Sequence, residues 1–430
     1  MTLLPRRLLA AAATAAVLAT APALAQPTDV VLVSTQLRPV ETATVFRNAI
    51  LRDSPVRTVF VGEEAEPMVT RLGAELKAGS RTVSVIGAVH GEILPLVPMG
   101  ALEPLDALVA KLGDRGIPPA LMDAAKLGTG NVLYMPWMQA TYIMVADKRA
   151  LPFLPAGADL NTLTYEQLAQ WGRNLMEKTG RRQIGFPAGQ RGLLNRFFQG
   201  YIYPSYTGGV VTPFRSAEAE KMWTDFKALW ATVNPGSTNY DMMQDALLGD
   251  EVWVAWDHVA RVIEALKAAP DRFVTFPAPA GPKGRAYMAV VAGLGIVKGA
   301  PNRAGAEALI DYLTKPATQL AVAREFAFFP VISASLPTDL QPGVKLAAIG
   351  VDKTQNAKDA VVVPLPIGLG AKSGEFSKVY MDAFTRIVLR NEPIRAVLDS
   401  EGEKLRAVMQ SANAPCWAPD KASAAACPVN

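Results

Sequence analysis

Residues 272–332 (RFVTFPAPAGPKGRAYMAVVAGLGIVKGAPNRAGAEALIDYLTKPATQLAVAREFAFFPVI) constrain the fold more than any other stretch. Residues 273–276 are a short β-rich run that ends in a Pro-rich turn. Residues 289–297 are small, apolar and β-rich, as expected of a strand covered on both faces. Asn302 is placed to cap a helix on which Ala306, Leu309, Ile310 and Leu313 recur at helical spacing. Pro316 suits the first turn of the next helix. Residues 326–332 return as an aromatic strand interrupted by Pro330. The order strand, loop, strand, helix, helix, strand belongs to an α/β chain.

The amino-terminal third repeats that alternation. Residues 28–35 (TDVVLVST), 56–61 and 82–87 read as strands. Between them lie helices with Val45, Phe46, Ala49 and Ile50, and then Met68, Val69, Leu72 and Leu76, each set on one face. This is the βαβ pattern of a parallel sheet. Ligands of such sheets bind beyond the carboxyl ends of the strands. The loops at 34–36, 62–64 and 87–90 stand there, with Gln36, Glu63 and His90 among their polar residues.

The chain resembles the extracellular solute-binding proteins of ABC importers, family 1, the maltose-binding-protein-like group. The family's "plPgpkG" turn stands here as Phe276-Pro277-Ala278-Pro279-Ala280-Gly281-Pro282-Lys283-Gly284, and Gly293 marks its Gly-containing strand. Tyr312-Leu313-Thr314-Lys315-Pro316-Ala317-Thr318-Gln319 is similar to "fLt.pe.q", and Phe329-Pro330-Val331 to "lPv". Tyr134, Met135, Pro136 and Asp147-Lys148 match a crossing strand and the strand after it. Leu163-Thr164-Tyr165-Glu166-Gln167-Leu168 resembles "pTWdEl", with Thr164 and Gln167 spaced as a capping box. Two positions depart from the pattern: Arg81-Thr82-Val83 replaces "pDv", and Val145-Ala146 replaces "YN".

The resemblance implies an α/β chain with a two-lobed periplasmic-binding-protein fold, type II-like, whose ligand cleft lies between lobes joined by crossing hinge strands. Its first lobe would hold residues 26–138 and 288–318, its second 139–287 and 325–412. Residues 413–430 form a Cys-containing tail. The implied function is capture of a small solute, a carbohydrate or polyol above all, for the membrane subunits of an ABC importer. A secreted α/β hydrolase or transferase acting on a sugar-like substrate is the alternative.

Composition narrows these readings. With 430 residues, half of them hydrophobic, the chain can bury a large core in two or more domains. Arg6-Arg7, the apolar residues 8–18 and Ala23-Leu24-Ala25 form a cleavable signal peptide over residues 1–25. Its apolar run is shorter than the roughly 20 residues of a membrane span. A periplasmic location is expected. The net charge is +4, and cleavage removes two of the arginines. No basic run interleaves with aromatics, so no nucleic-acid partner is expected. A monomer without cofactor is expected. Cys416 and Cys427 are the only cysteines, and in an oxidising compartment they should close one short disulfide loop.

No catalytic constellation is present: there is no G-x-S-x-G, P-loop or H-E-x-x-H. Two histidines, His90 and His258, exclude a His-rich metal site. Gly293-Leu294-Gly295 lacks the third glycine of a dinucleotide fingerprint. The positive signal is aromatic and polar, as sugar recognition requires. Trp137 and Trp256 stand at strand ends, where a cleft would begin, whereas Tyr142 and Trp253 lie mid-strand, as core residues do. Asp257 and His258 follow Trp256; they are candidates for ligand hydrogen bonds or for capping a helix at Val259. Phe329 completes the candidate set. Arg38, Arg191 and Arg196 receive no place from sequence; a convergent arginine in the cleft would point to an anionic solute.

Overall fold

The computed structural model describes residues 29–113, 115–332, 339–423 and 425–430. The expected signal peptide lies outside them. Ten strands are present among the described residues: β1 (Val30–Ser34), β2 (Thr58–Gly62), β3 (Val85–Val89), β4 (Met135–Ala140), β5 (Tyr142–Asp147), β6 (Ile184–Gly185), β7 (Val254–His258), β8 (Phe273–Phe276), β9 (Arg285–Ile296) and β10 (Ala360–Pro364). They form two sheets, one ordered β10-β9-β3-β1-β2 with β4 also on β9, the other β6-β7-β5-β8. The three amino-terminal strands pair in parallel around β1, as the βαβ pattern requires. β9 runs antiparallel to β3 and β4 and parallel to β10. The mixed α/β fold is two-lobed; the larger sheet extends into the second lobe through β10 and the start of β9, whose Ala286, Met288 and Val363 join that lobe's core.

Local chemistry sets the helix ends. Thr164 and Gln167 form the expected capping box at the start of the helix Tyr165–Thr179. Asn302 Oδ1 accepts the Gly305 N–H at 2.8 Å and opens the helix Arg303–Thr314. Ala306, Leu309, Ile310 and Leu313 are all fully buried along its length. Pro316 begins the helix Pro316–Phe326.

The expected strand at 326–332 does not form. Ala327 turns into the left-handed region at φ 54° and ends the preceding helix. Pro330 has no N–H to donate to a ladder. One pair of backbone bonds remains, Gln139 N to Phe329 O at 2.8 Å and Phe329 N to Gln139 O at 2.7 Å. Gln139 also donates through its amide to the Pro330 carbonyl at 2.8 Å and accepts from Gln355 at 3.2 Å. Its backbone pairs with Val291 of β9 as well. Three segments that pass between the lobes are therefore fastened at one residue.

The cores follow the lobes. Phe46, Leu72, Trp137 and Leu309 belong to one cluster, Trp171, Phe197, Trp223 and Trp256 to another, and a smaller third holds Val145, Phe273, Phe329 and Val344. The carboxyl-terminal tail is part of the second cluster through Cys416, Trp417, Cys427 and Val429. Cys416 and Cys427 are joined as a disulfide. No helix among the described residues is long and apolar enough to cross a membrane.

Candidate ligand cleft

A cavity of about 620 Å³ opens between the lobes, within the usual size range of small-molecule sites. Its first-lobe wall lies beyond the carboxyl ends of β2 and β3. Glu66, Val69 and Thr70 come from the helix Ala65–Ala78, and Gly91 and Glu92 from the turn after β3. The second-lobe wall consists of Arg196, the Leu365-Pro366 segment and the start of the helix Ser373–Phe384, with Ser373, Phe376 and Ser377. The lobes come close at one edge: a Cβ on Gly91 would stand 2.7 Å from the Pro366 carbonyl oxygen.

Glu92 is fixed from behind. Its Oε2 accepts from the Thr35 hydroxyl at 2.6 Å and from the Val89 N–H at 3.1 Å. Gln36 donates to that hydroxyl at 3.1 Å, one hydrogen bond removed from the carboxylate. Arg196 is held likewise. It donates to Gln199 Oε1 at 3.1 Å, and Gln199, itself 1% exposed, donates to Ser377 at 3.3 Å. Arg38 pairs with Glu64, and Arg191 pairs with Asp241 at 3.0 Å.

None of the nine candidate ligand residues lines this cavity, and each has another use. Glu63 pairs with Arg71 at 3.2 Å. His90 Nδ1 lies 2.9 Å from the Tyr134 hydroxyl, and burial lowers its pKa. Trp137 is not at a cleft mouth: it is 2% exposed and packs near Phe46, ring centroids 6.2 Å apart. Trp256 is fully buried and stacks on Tyr142 at 4.8 Å, with Phe197 and Tyr201 edge-on. Both sit in sheets covered on both faces, where a strand end is no more exposed than its middle. Gly293 accommodates the Tyr134 ring, and Phe329 is the crossing partner of Gln139. His258, not Asp257, caps the turn Val259–Arg261, accepting the Ala260 N–H at 3.2 Å. Burial pushes its pKa down to about 3, so the ring is neutral.

Asp257 is fully buried and accepts the N–H groups of Met243 at 3.0 Å and His258 at 2.7 Å. Burial pushes its carboxyl up to about 7, against the pull of Arg261 and those two donors. An unfolded aspartate titrates near about 3.9. The folded chain therefore holds the extra proton between roughly pH 4 and 7. This group favours folding below that window, and its contribution is lost as pH rises through 7. The full loss is of order 4 kcal/mol. Urea midpoints of the wild type should fall from pH 5 to 8 relative to those of Asp257→Asn. Parallel profiles would show that the two N–H groups keep the carboxylate charged throughout.

The residues that converge on the cavity were only partly visible in sequence. Glu92 stands two positions past the last residue assigned to the third ligand loop. Its signal was a carboxylate three residues past the end of an apolar strand. Arg196 was visible as a lone charge in the apolar run 193–202.

Solved structures share this architecture. The sugar-binding protein MalE of Xanthomonas citri superposes with a TM-score of 0.69 at 17% identity, covering 89% of this chain and 97% of its own. UgpB of Mycobacterium tuberculosis, solved with glycerophosphocholine, gives 0.68 at 15%, covering 90% and 98%. A solute-binding protein of Agrobacterium vitis with bound D-mannitol gives 0.67 at 14%, covering 90% and 99%. Identities this low establish the fold alone. Comparison with curated proteins by sequence finds no match. The sequence profile described as bacterial extracellular solute-binding protein matches residues 58–320. That span takes in β2 to β9 and the cavity's first-lobe wall, and the chain belongs to the bacterial extracellular solute-binding protein family.

Proposed function

We propose that this protein is a periplasmic receptor that captures a small carbohydrate or polyol between its lobes and delivers it to the membrane subunits of an ABC importer. One observation carries the reading: a cavity of about 620 Å³ whose two walls come from different lobes and combine hydroxyls, carboxylates and apolar faces. Solute hydroxyls would donate to Glu66 and Glu92 and exchange hydrogen bonds with Thr70, Ser373 and Ser377. The carbon skeleton would lie against Leu365 and Phe376. The sugar and mannitol named for two of the similar structures support the same class.

The first lobe is taken as residues 26–138 with 288–318, the second as 139–287 with 325–412, and 413–430 as the tail. Residues 1–25 would direct export, and the mature chain would act as a monomer. The mechanism is binding. A solute that touches both walls favours the closed arrangement by its differential affinity for it. The segments fastened at Gln139 would carry the motion.

The test is a thermal-shift screen of the mature chain against sugars, polyols, their acids and phosphates, amino acids and polyamines. A solute at about 100 times its dissociation constant should add roughly 2.7 kcal/mol of stability. A shift with a sugar or polyol, recovered intact, supports the receptor. Silence across the panel removes the reading. Recovery of a cleaved or transferred product transfers the case to a secreted hydrolase or transferase.

A further inference from the structure

Arg196 is the only cationic side chain among the described residues that line the cavity. It is half-buried, and no described carboxylate lies within ion-pair distance of it. The other two arginines left unplaced by sequence are neutralised, Arg38 by Glu64 and Arg191 by Asp241. Arg196 is also aimed. One of its terminal nitrogens is tied at 3.1 Å to Gln199, which is 1% exposed and bridges to Ser377 on the same wall. The rest of the guanidinium keeps its donors.

Lobe closure removes water from this wall. A guanidinium dried without a counter-charge opposes closure, whereas one that receives an acid through its planar fork favours it. The opposite wall differs. Glu92 commits Oε2 to Thr35 and Val89 and leaves its other oxygen as an acceptor for hydroxyls. Glu66, on the same side, adds a second acceptor. A solute spanning the cavity thus meets acceptors on one lobe and a cation on the other.

We propose, resting on the receptor reading above, that the solute is an acidic polyol: a hydroxyl-bearing carbon chain with a carboxylate or phosphate group. Arg196 receives the acidic group. The hydroxyls donate to Glu92. The rival arrangement has Glu92 or Glu66 neutralise Arg196 across the closed cleft, in which case a neutral polyol suffices.

Calorimetric titration of the mature chain with sorbitol, gluconate and sorbitol phosphate decides between them, since the three differ only in the terminal group. The acidic members are expected to bind about 100-fold more tightly than sorbitol, and less tightly as salt rises. The better of the two identifies the acid. Arg196→Gln should abolish the preference, and Arg196→Lys should retain part of it. The wild-type comparison stands even if a variant misfolds. Sorbitol binding as well as the acids overturns the inference and leaves the receptor intact. If none of the three binds, the solute found by the broader screen decides: an acidic one supports the assignment to Arg196, and a neutral or cationic one overturns it. No solute in either assay removes the receptor reading and this inference with it.

Discussion

Asp420→Ala is expected to lower the stability of the second lobe by about 4 kcal/mol. The carboxylate accepts three consecutive backbone N–H groups, those of Val210 at 2.6 Å, Val211 at 3.0 Å and Thr212 at 2.9 Å. Val210 and Val211 are fully buried, and Asp420 is 7% exposed. Hydrogen bonds to a charged acceptor contribute roughly 1.5–3 kcal/mol each, and orphaned buried donors cost about 1–3 kcal/mol each. Alanine removes all three bonds together and leaves at least two donors with no route to water. The loss should spread, because the same tail seats Trp417 against Phe376 at 5.6 Å. Asp420→Asn keeps one acceptor oxygen and should cost less than alanine. Guanidinium unfolding measures both, with the midpoint falling at unchanged slope. A change below about 1 kcal/mol for alanine would mean that water reaches these N–H groups.

Gly293→Ala should be comparably damaging, at about 3 kcal/mol or more. A Cβ at this position would stand 2.0 Å from Tyr134 Cδ2 and 2.6 Å from its Cγ. Neither side can retreat easily. Gly293 is held between Ala88 of β3 and Pro136 of β4. Tyr134 is 1% exposed, and its hydroxyl lies 2.9 Å from His90 Nδ1. The backbone of Gly293 is not in the left-handed region, so the penalty is one of space alone. Shrinking the neighbour tests this. Tyr134→Leu combined with Gly293→Ala should be less destabilised than the sum of the two single changes. Strict additivity in unfolding midpoints would show that the ring is not the obstacle. Because Val89, Gly91 and Glu92 flank His90, the single variant should also weaken solute binding.

The glycine shows how far local reading reaches. Its place in a buried strand was legible, since small apolar residues in a run have few other uses. Its purpose was not. The resemblance implied a strand opening onto the ligand, whereas the space belongs to a tyrosine about 160 residues earlier in the chain. The same limit applies to Trp137 and Trp256. Their strand-end positions are local facts, but their burial depends on what packs over each sheet.

Sequence by itself determined the features decided within a few residues or by composition. These include the capping box at Thr164, the Asn302 cap, the periodic apolar faces, the parallel amino-terminal strands and the pairing of the only two cysteines. Each rests on hydrogen bonds or apolar spacing confined to one element, on the alternation of neighbouring elements, or on a choice with one outcome. Only the tertiary structure decided the cleft. Glu92 and Arg196 lie about a hundred residues apart, on different lobes, and face one cavity because the chain crosses between lobes near Gln139. Whether a polar side chain meets a neighbour or open space depends on contacts between elements distant in sequence, and spacing along the chain carries no record of them.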